Sequence, residues 1–280
     1  MLPSVNFHVW KYCNYKCRFC FATFEDVPGQ IKRDRAIEVI EQIAKHGCDK
    51  LTLVGGEPTL CPFLGELIER AHALGMTTCV VSNGERLREL IEHHATALDW
   101  IGLSIDSCDE ECSRQLGRGN GDHIRRAIEL AALAQQRGIR IKLNTVVTAL
   151  NHHEDMTALV RRIAPERWKV FQVLPVAGQN DGVEPLLISA LQFRTYVERH
   201  AHLAAEQLAP IAEDNAAMTG SYIMIDPMGR FFDNVDGRLV YSEPIPEIGV
   251  ARAFSQVRWE RERMIARGGL YLWRRSRSPS

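Results

Sequence analysis

KLTLVGGEPTLCPFLGELIERAHALGMTTCVVS, residues 50–82, holds one complete unit of the fold. Lys50–Val54 is a short apolar run of strand type, Pro62–Leu74 repeats its apolar residues at helical spacing, and Thr77–Ser82 is again β-branched and short. A strand, a helix and a second strand in this order read as a parallel pair joined by a helical crossover.

The alternation continues outward on both sides. Upstream lie a strand at Val5–Trp10 and a helix at Asp34–His46. Downstream follow helix Arg86–His94, strand Trp100–Ile105, helix His123–Arg137, strand Arg140–Val147, helix His153–Ile163, strand Trp168–Val173 and helix Ser189–Ala205. Six such units predict an α/β protein with a parallel sheet, more than one βαβαβ half and fewer than eight units, hence a partial, open (β/α)6 barrel. Tyr222–Ile225 and Arg230–Phe232 read as a late hairpin and Val250–Arg267 as a last helix. The expected organisation is a single domain over 1–280. Residues 1–210 form the barrel core, 211–273 a C-terminal extension covering the barrel mouth with a substrate-capping loop, and 274–280 a disordered basic tail.

With 45% hydrophobic and 25% charged residues, the chain has ample material for a core and no signature of disorder. A formal charge of -1 and a pI near 6.8 argue against a nucleic-acid partner, so any anion site must be local. The start lacks a signal-peptide pattern, and no run approaches the ~18 apolar residues of a membrane span. A cytoplasmic protein without membrane attachment is expected. Eight cysteines in so long a chain point to metal or redox use rather than to disulfide staples, with Cys48 and Cys79 suited to the core.

Cys13-x3-Cys17-x2-Cys20 follows the first strand in a loop. Thiolates are preferred iron–sulfur ligands, and three on a four-iron cube leave one iron open for chemistry. A zinc ion with a fourth ligand such as His8, or three unrelated thiols, also fits the spacing. Gly55-Gly56-Glu57-Pro58 ends the second strand, where residues without Cβ let a ligand approach; a plain strand-to-helix turn fits as well. Lys142 and Asn144 share one face of their strand, opposite Ile141 and Leu143, and Arg167 and Lys169 alternate with Trp168 and Val170. Cations turned inward from a parallel sheet need anions, either a triphosphate or buried Asp and Glu partners. Arg267-Gly268-Gly269 combines a guanidinium fork with flexible glycines, a pair able to wrap a phosphate. The ten histidines form no metal spacing with one another.

CxxxCxxC with Phe19 before its last cysteine, followed by GGEP, resembles the signature of the radical S-adenosylmethionine (SAM) superfamily. VNFH (5–8), CNYKCRFCF (13–21), LVGGEP (53–58), SNG (82–84), LSIDS (103–107), LGRGNG (116–121), KLNTVV (142–147), RWKVFQ (167–172), SYIMID (221–226) and RGGLYLW (267–273) resemble the viperin family of nucleotide dehydratases over nearly the full length. That resemblance implies a [4Fe-4S] cluster on Cys13, Cys17 and Cys20 at the strands' C-terminal ends. SAM would be held by Phe19, Gly55, Gly56, Glu57, Asn83, Ser104 and Arg118, with its amino group on GGEP and its carboxylate near Ser104 and Arg118. Asn6, Lys50, Lys142, Asn144, Arg167, Lys169 and Arg267 would bind a nucleoside triphosphate, and Tyr222 would supply a hydrogen atom, or a proton and an electron, near the ribose.

The implied reaction cleaves SAM, takes the ribose 4′-hydrogen, expels the 3′-hydroxyl as water and gives a 3′-deoxy-3′,4′-didehydro chain terminator. A flavodoxin or ferredoxin would donate electrons. Val54 stands where animal viperins carry serine, which leaves CTP, UTP and GTP all open as substrates. The amphipathic leader and acidic tail of animal viperins have no counterpart here, so neither membrane anchoring nor that route of cluster delivery is implied. Two other readings remain: a different radical SAM reaction on a peptide or cofactor, which leaves RWKVFQ and RGG unexplained, and a zinc-stabilised binding protein without turnover.

Overall fold

The structure, a computed structural model, describes residues 2–273; the expected tail at 274–280 lies outside the described residues. Seven parallel strands follow one another in chain order: β1 (Val5–Trp10), β2 (Lys50–Gly55), β3 (Thr77–Ser82), β4 (Trp100–Ser104), β5 (Arg140–Val147), β6 (Arg167–Gln172) and β7 (Pro210–Glu213). The chain then returns to the other edge, where β8 (Ile223–Ile225) pairs parallel with β1, and β9 (Arg230–Asp233) and β10 (Val240–Pro244) continue antiparallel. β10 and β7 end the sheet without pairing to each other, so the barrel is open.

Each of the six expected units is present, because alternate residues of each strand meet an apolar helix stripe. Ile141, Leu143, Trp168 and Val170 point outward into one continuous core with helices such as Arg33–Lys45 and His123–Gln136. The opposite set, turned into the lumen, includes Lys142, Asn144, Arg167 and Lys169. Among the described residues, no helix is long and apolar enough to cross a membrane.

Three departures from the expected elements have local causes. The helix expected to start at His153 begins at Thr157, since Asp155 Oδ1 accepts from Thr157 N–H and the chain before it is tied into a turn by Asn151. The run Ser189–Ala205 starts with a capping box between Ser189 and Gln192, leaves the α-helix at Arg199 and tightens into a 3-10 segment, Ala201–Glu206. The last helix, expected over Val250–Arg267, is two short helices, Val250–Phe254 and Arg261–Ala266. Between them the backbone hydrogen bonds go to tertiary partners: Arg258 N–H to Asp233 Oδ2 and Glu260 N–H to Gly220 O.

The segment after the last helix lies at the end of the lumen where the strands begin, not at the mouth formed by their C-terminal ends where a covering extension was expected. After the last helix the chain runs beneath β4 and β5, where Trp100 Nε1 donates to Trp273 O at 2.8 Å and the Arg140 guanidinium donates to the same carbonyl. Gly268 and Gly269 make that turn possible. Their N–H groups close the helix on Ile265 O and Met264 O, Gly268 has φ 70°, and a Cβ on Gly269 would lie 2.5 Å from Met264 O. These glycines end the helix and turn the chain under the sheet.

Candidate active site

A cavity of about 670 Å³ fills the lumen, and every candidate site residue named above lines it. Strand register sets their depth. Lys50, Thr52 and Val54 succeed one another along β2, Lys142, Asn144 and Val146 along β5, and Arg167, Lys169 and Phe171 along β6. Lys142 pairs with Arg167, and Asn144 with Lys169. Lys50, Lys142 and Arg167 therefore sit near the strand beginnings, Thr52, Asn144 and Lys169 in the middle, and the cysteine loop where β1 ends. Asn6 enters from β1, paired between Thr52 and Met224.

The cysteine loop is clamped from two sides. Gly56 N–H donates to Trp10 O at 2.6 Å and Glu57 N–H to Tyr12 O at 2.8 Å, while Lys16 and Arg18 N–H groups donate to Gly117 O and Leu116 O. A Cβ at Gly56 would lie 2.5 Å from both Lys11 O and Tyr12 O, one at Gly117 would meet Lys16 O of this loop, and one at Gly55 would meet Trp10 O where β1 runs into it. The glycines of GGEP are thus required by the close approach of the cysteine loop itself, a nearer cause than approach of a ligand. Glu57 is buried with its carboxylate turned into the protein, where it accepts from Thr59 N–H (3.0 Å), Ser82 Oγ (2.7 Å) and Asn83 N–H (2.8 Å). It joins the ends of β2 and β3.

Cys13, Cys17 and Cys20 face the cavity as free thiols. Burial pushes all three up, Cys17 to about 12, and the Arg118 guanidinium works against that shift. Among the described residues, no three His, Cys, Asp or Glu groups converge as they would on one metal ion. A four-iron cube takes each thiolate on a different iron and asks for no such convergence. Three soft donors on one short loop, with a cation beside them, fit a cluster that carries net negative charge. His8, the alternative fourth donor to a zinc ion, packs edge-on against Phe24 and Phe232, and burial lowers it to about 3.

Around the loop, Arg118 lies over the Phe19 ring and is ion-paired to fully buried Asp106, which also accepts from Val146 N–H at 2.9 Å. Asn83 Nδ2 donates to Asn14 Oδ1, and the Ser104 carbonyl meets the His123 ring nitrogen, both at 2.8 Å.

At the basic end the alternative of buried carboxylate partners is realised in part. Glu213, fully buried on β7, lies 2.5 Å from Lys169 Nζ and 3.5 Å from Arg267, and it accepts from the Tyr222 hydroxyl. Arg267 stacks 3.6 Å over the Tyr222 ring. Lys50 donates to the Tyr271 hydroxyl at 2.5 Å, and Arg167 donates to Gly268 O at 2.5 Å. Five cations (Lys50, Lys142, Arg167, Lys169, Arg267) thus share one carboxylate among the described residues. Buried Arg167 Nε, Arg267 Nε and Asn144 Oδ1 have no hydrogen-bond partner there.

Burial and neighbouring Lys142 push Lys50 down to about 8, and burial takes Lys169 well below its ordinary value. Glu213 goes the other way. Burial raises it, but Lys169 and Arg267 outweigh burial and hold it below the usual carboxylate range. Such a lumen favours an incoming polyanion.

Glu213, Tyr271 and Asp106 escaped the sequence reading. Tyr271 and Asp106 lie in stretches already singled out, RGGLYLW and LSIDS, but nothing local distinguishes them from core residues. β7 is four residues long and shows no usable period.

Comparison with known proteins bears on what this lumen holds. The family model of the Radical SAM superfamily matches residues 8–163. The S-adenosylmethionine-dependent nucleotide dehydratase of Flammeovirga pacifica is 45% identical over 98% of this chain and 97% of its own. A protein of that name from Lacinutrix mariniflava is 40% identical over 97% of this chain and 59% of its own, and the S-adenosylmethionine-dependent nucleotide dehydratase RSAD2 of Oncorhynchus mykiss is 33% identical over 96% and 80%. Among solved structures, Streptococcus suis SuiB bound to S-adenosylmethionine superposes with a TM-score of 0.66 at 17% identity, covering 82% of this chain and 60% of that one. Native anSMEcpe with bound AdoMet gives 0.67 at 14% identity, covering 91% and 81%. These two share the fold.

Proposed function

Since the chain belongs to the radical SAM superfamily and, within it, to the S-adenosylmethionine-dependent nucleotide dehydratases, we propose that it removes water from the ribose of a nucleoside triphosphate, giving the 3′-deoxy-3′,4′-didehydro nucleotide. The observation that carries this reading is the gradient along the lumen, with soft thiols at one end and crowded cations at the other. When bound, a [4Fe-4S] cluster on Cys13, Cys17 and Cys20 together with SAM supplies the radical that opens the chemistry. Phe19, Gly55, Gly56, Glu57, Asn83, Ser104 and Arg118 form the cofactor side, the glycines and Glu57 by holding the cysteine loop in register.

Lys50, Lys142, Arg167, Lys169 and Arg267 take the phosphates, and each charge-assisted contact is stronger in this lumen than in water. Asn6 and Asn144 lie at mid-depth, where the ribose would sit between the two ends. Fixing it there removes the entropy of aligning its 4′-hydrogen and keeps water from the reacting carbon. Tyr222 would stand beside that position, its hydroxyl donating to the Glu213 carboxylate and accepting from Lys169. In this reading the chain works as one domain, with 1–210 forming the barrel and 211–273 completing the lumen. Its setting is the cytoplasm, its electrons come from a flavodoxin or ferredoxin, and neither nucleic acid nor membrane is a partner.

An anaerobic assay of the reconstituted protein with SAM and each of the four ribonucleoside triphosphates tests the proposal. At least one should stimulate SAM cleavage and yield a product lighter by one water. Deuterium placed at C4′ should be found in 5′-deoxyadenosine, and deuterium at C3′ should not. If no triphosphate raises turnover while a peptide does, the nucleotide reading falls.

A further inference from the structure

We propose that Tyr271 reads the length of the substrate's phosphate chain: with Lys50, Lys142 and Arg167 it forms the end wall on which a terminal phosphate rests, so that a triphosphate is distinguished from a diphosphate. The inference rests on the nucleotide reading above and adds a specificity residue that the pattern of cations does not identify.

Tyr271 is held rigidly for such a task. Its ring stands edge-on between Trp100 at 5.8 Å and Trp273 at 5.3 Å, and the strap carrying it is latched by the Trp100 bond to Trp273 O. From this seat the ring lies 4.0 Å from the Arg167 guanidinium, 4.8 Å from Lys50 Nζ and 5.6 Å from Lys142 Nζ. Glu213 serves Lys169 and Arg267, but among the described residues no carboxylate forms an ion pair with Lys50, Lys142 or Arg167. The three cations surround the Tyr271 ring, and Lys50 reaches its hydroxyl. The hydroxyl accepts from Lys50 at 2.5 Å, and its own proton remains available to a phosphate oxygen.

Depth supplies the length measure. Lys50 opens β2 and Gly55 closes it, a separation of roughly 16 Å at the rise of a strand. A ribose facing the cysteine loop sends its phosphates down the lumen, where Asn144 and Lys169 come first and the Tyr271 wall last. A chain one phosphate shorter stops before the wall. The surrounding charge agrees with this assignment. Burial would raise the Tyr271 phenol, yet Lys142 and Lys50 overcome burial and draw it below its ordinary value, as a position built for negative charge requires.

The test compares wild type with Tyr271→Phe, both as full chains reconstituted with iron and sulfide, in equilibrium titrations with the four ribonucleoside triphosphates and their diphosphates. Losing a hydrogen bond to a charged group should weaken triphosphate binding ~10- to 100-fold. Diphosphate binding should stay unchanged, and KM should rise while kcat at saturation persists. Equal weakening of both, or of neither, overturns the proposal and leaves the dehydratase reading standing. A second measurement needs no variant: alkaline titration of wild-type tyrosine absorbance. The groups facing the phenol are Lys50 from β2, Cys79 from β3, Lys142 from β5 and Arg167 from β6. Bound triphosphate should delay phenolate formation and diphosphate should not; identical curves overturn the proposal. A wild type that binds none of the triphosphates sinks the nucleotide reading itself, and this inference with it.

Discussion

Replacing Glu213 by glutamine removes one negative charge from the lumen wall and changes almost nothing in shape. The wild-type carboxylate is fully buried, and the two cations it serves, Lys169 and Arg267, have side chains only 8% and 7% exposed. Deleting one partner of a buried ion pair leaves the other uncompensated and costs about 3–5 kcal/mol. The full range applies here because solvent cannot screen either cation, and the glutamine oxygen can still accept from Tyr222. Chemical denaturation of wild type and Glu213→Gln reads that loss directly. Inorganic triphosphate supplies negative charge to the same cations, so at equal concentration it should stabilise the variant more than the wild type. A variant as stable as wild type, or one rescued no better by triphosphate, would refute the role given to Glu213. Acid gives an independent reading. Because the folded-state value of Glu213 is depressed, its contribution is complete above the ordinary glutamate value of ~4.3 and is lost as pH falls through the lower folded value. The stability of Glu213→Gln should therefore change less than that of wild type across the acid range.

Cys13→Ala should lose bound iron and 5′-deoxyadenosine formation, whereas Cys48→Ala, buried away from the cavity, should keep both by metal analysis and chromatography. Gly56→Ala forces a Cβ to 2.5 Å from two carbonyl oxygens of the cysteine loop. It should cost about 1–3 kcal/mol and lower iron content although no ligand is touched, and an alanine variant with full iron and stability would contradict the clamp. Arg118→Ala should weaken SAM binding ~10- to 100-fold. Asp106→Asn should destabilise the protein by about 3–5 kcal/mol without weakening SAM. Equal loss of SAM affinity in both would show that Arg118 acts only as a brace for Asp106.

Much of this site was legible from order and period alone. Strand alternation turned Lys142, Asn144, Arg167 and Lys169 inward because Ile141, Leu143, Trp168 and Val170 had to meet the helices, and that choice of face is made within a few residues. The cysteine spacing is equally local. Its thiols share one loop whatever the rest of the chain does.

Contacts made across the chain were not legible. Lys50 and Tyr271 are 221 residues apart and touch only because β2 and the C-terminal strap meet at the same end of the lumen. Glu213 reaches Lys169 through a four-residue strand whose pairing with β6, not its own pattern, makes it a strand. The glycines of GGEP were identified by residue type, but their cause, the close passage of the cysteine-loop backbone, belongs to the packed state. Short-range periodicity and spacing were enough to set the order of the strands, the inward face of each and the clustering of the thiols. Which charges share a counter-ion, and which end of the barrel Gly268 to Trp273 lie against, depend on distances that exist once the sheet has formed.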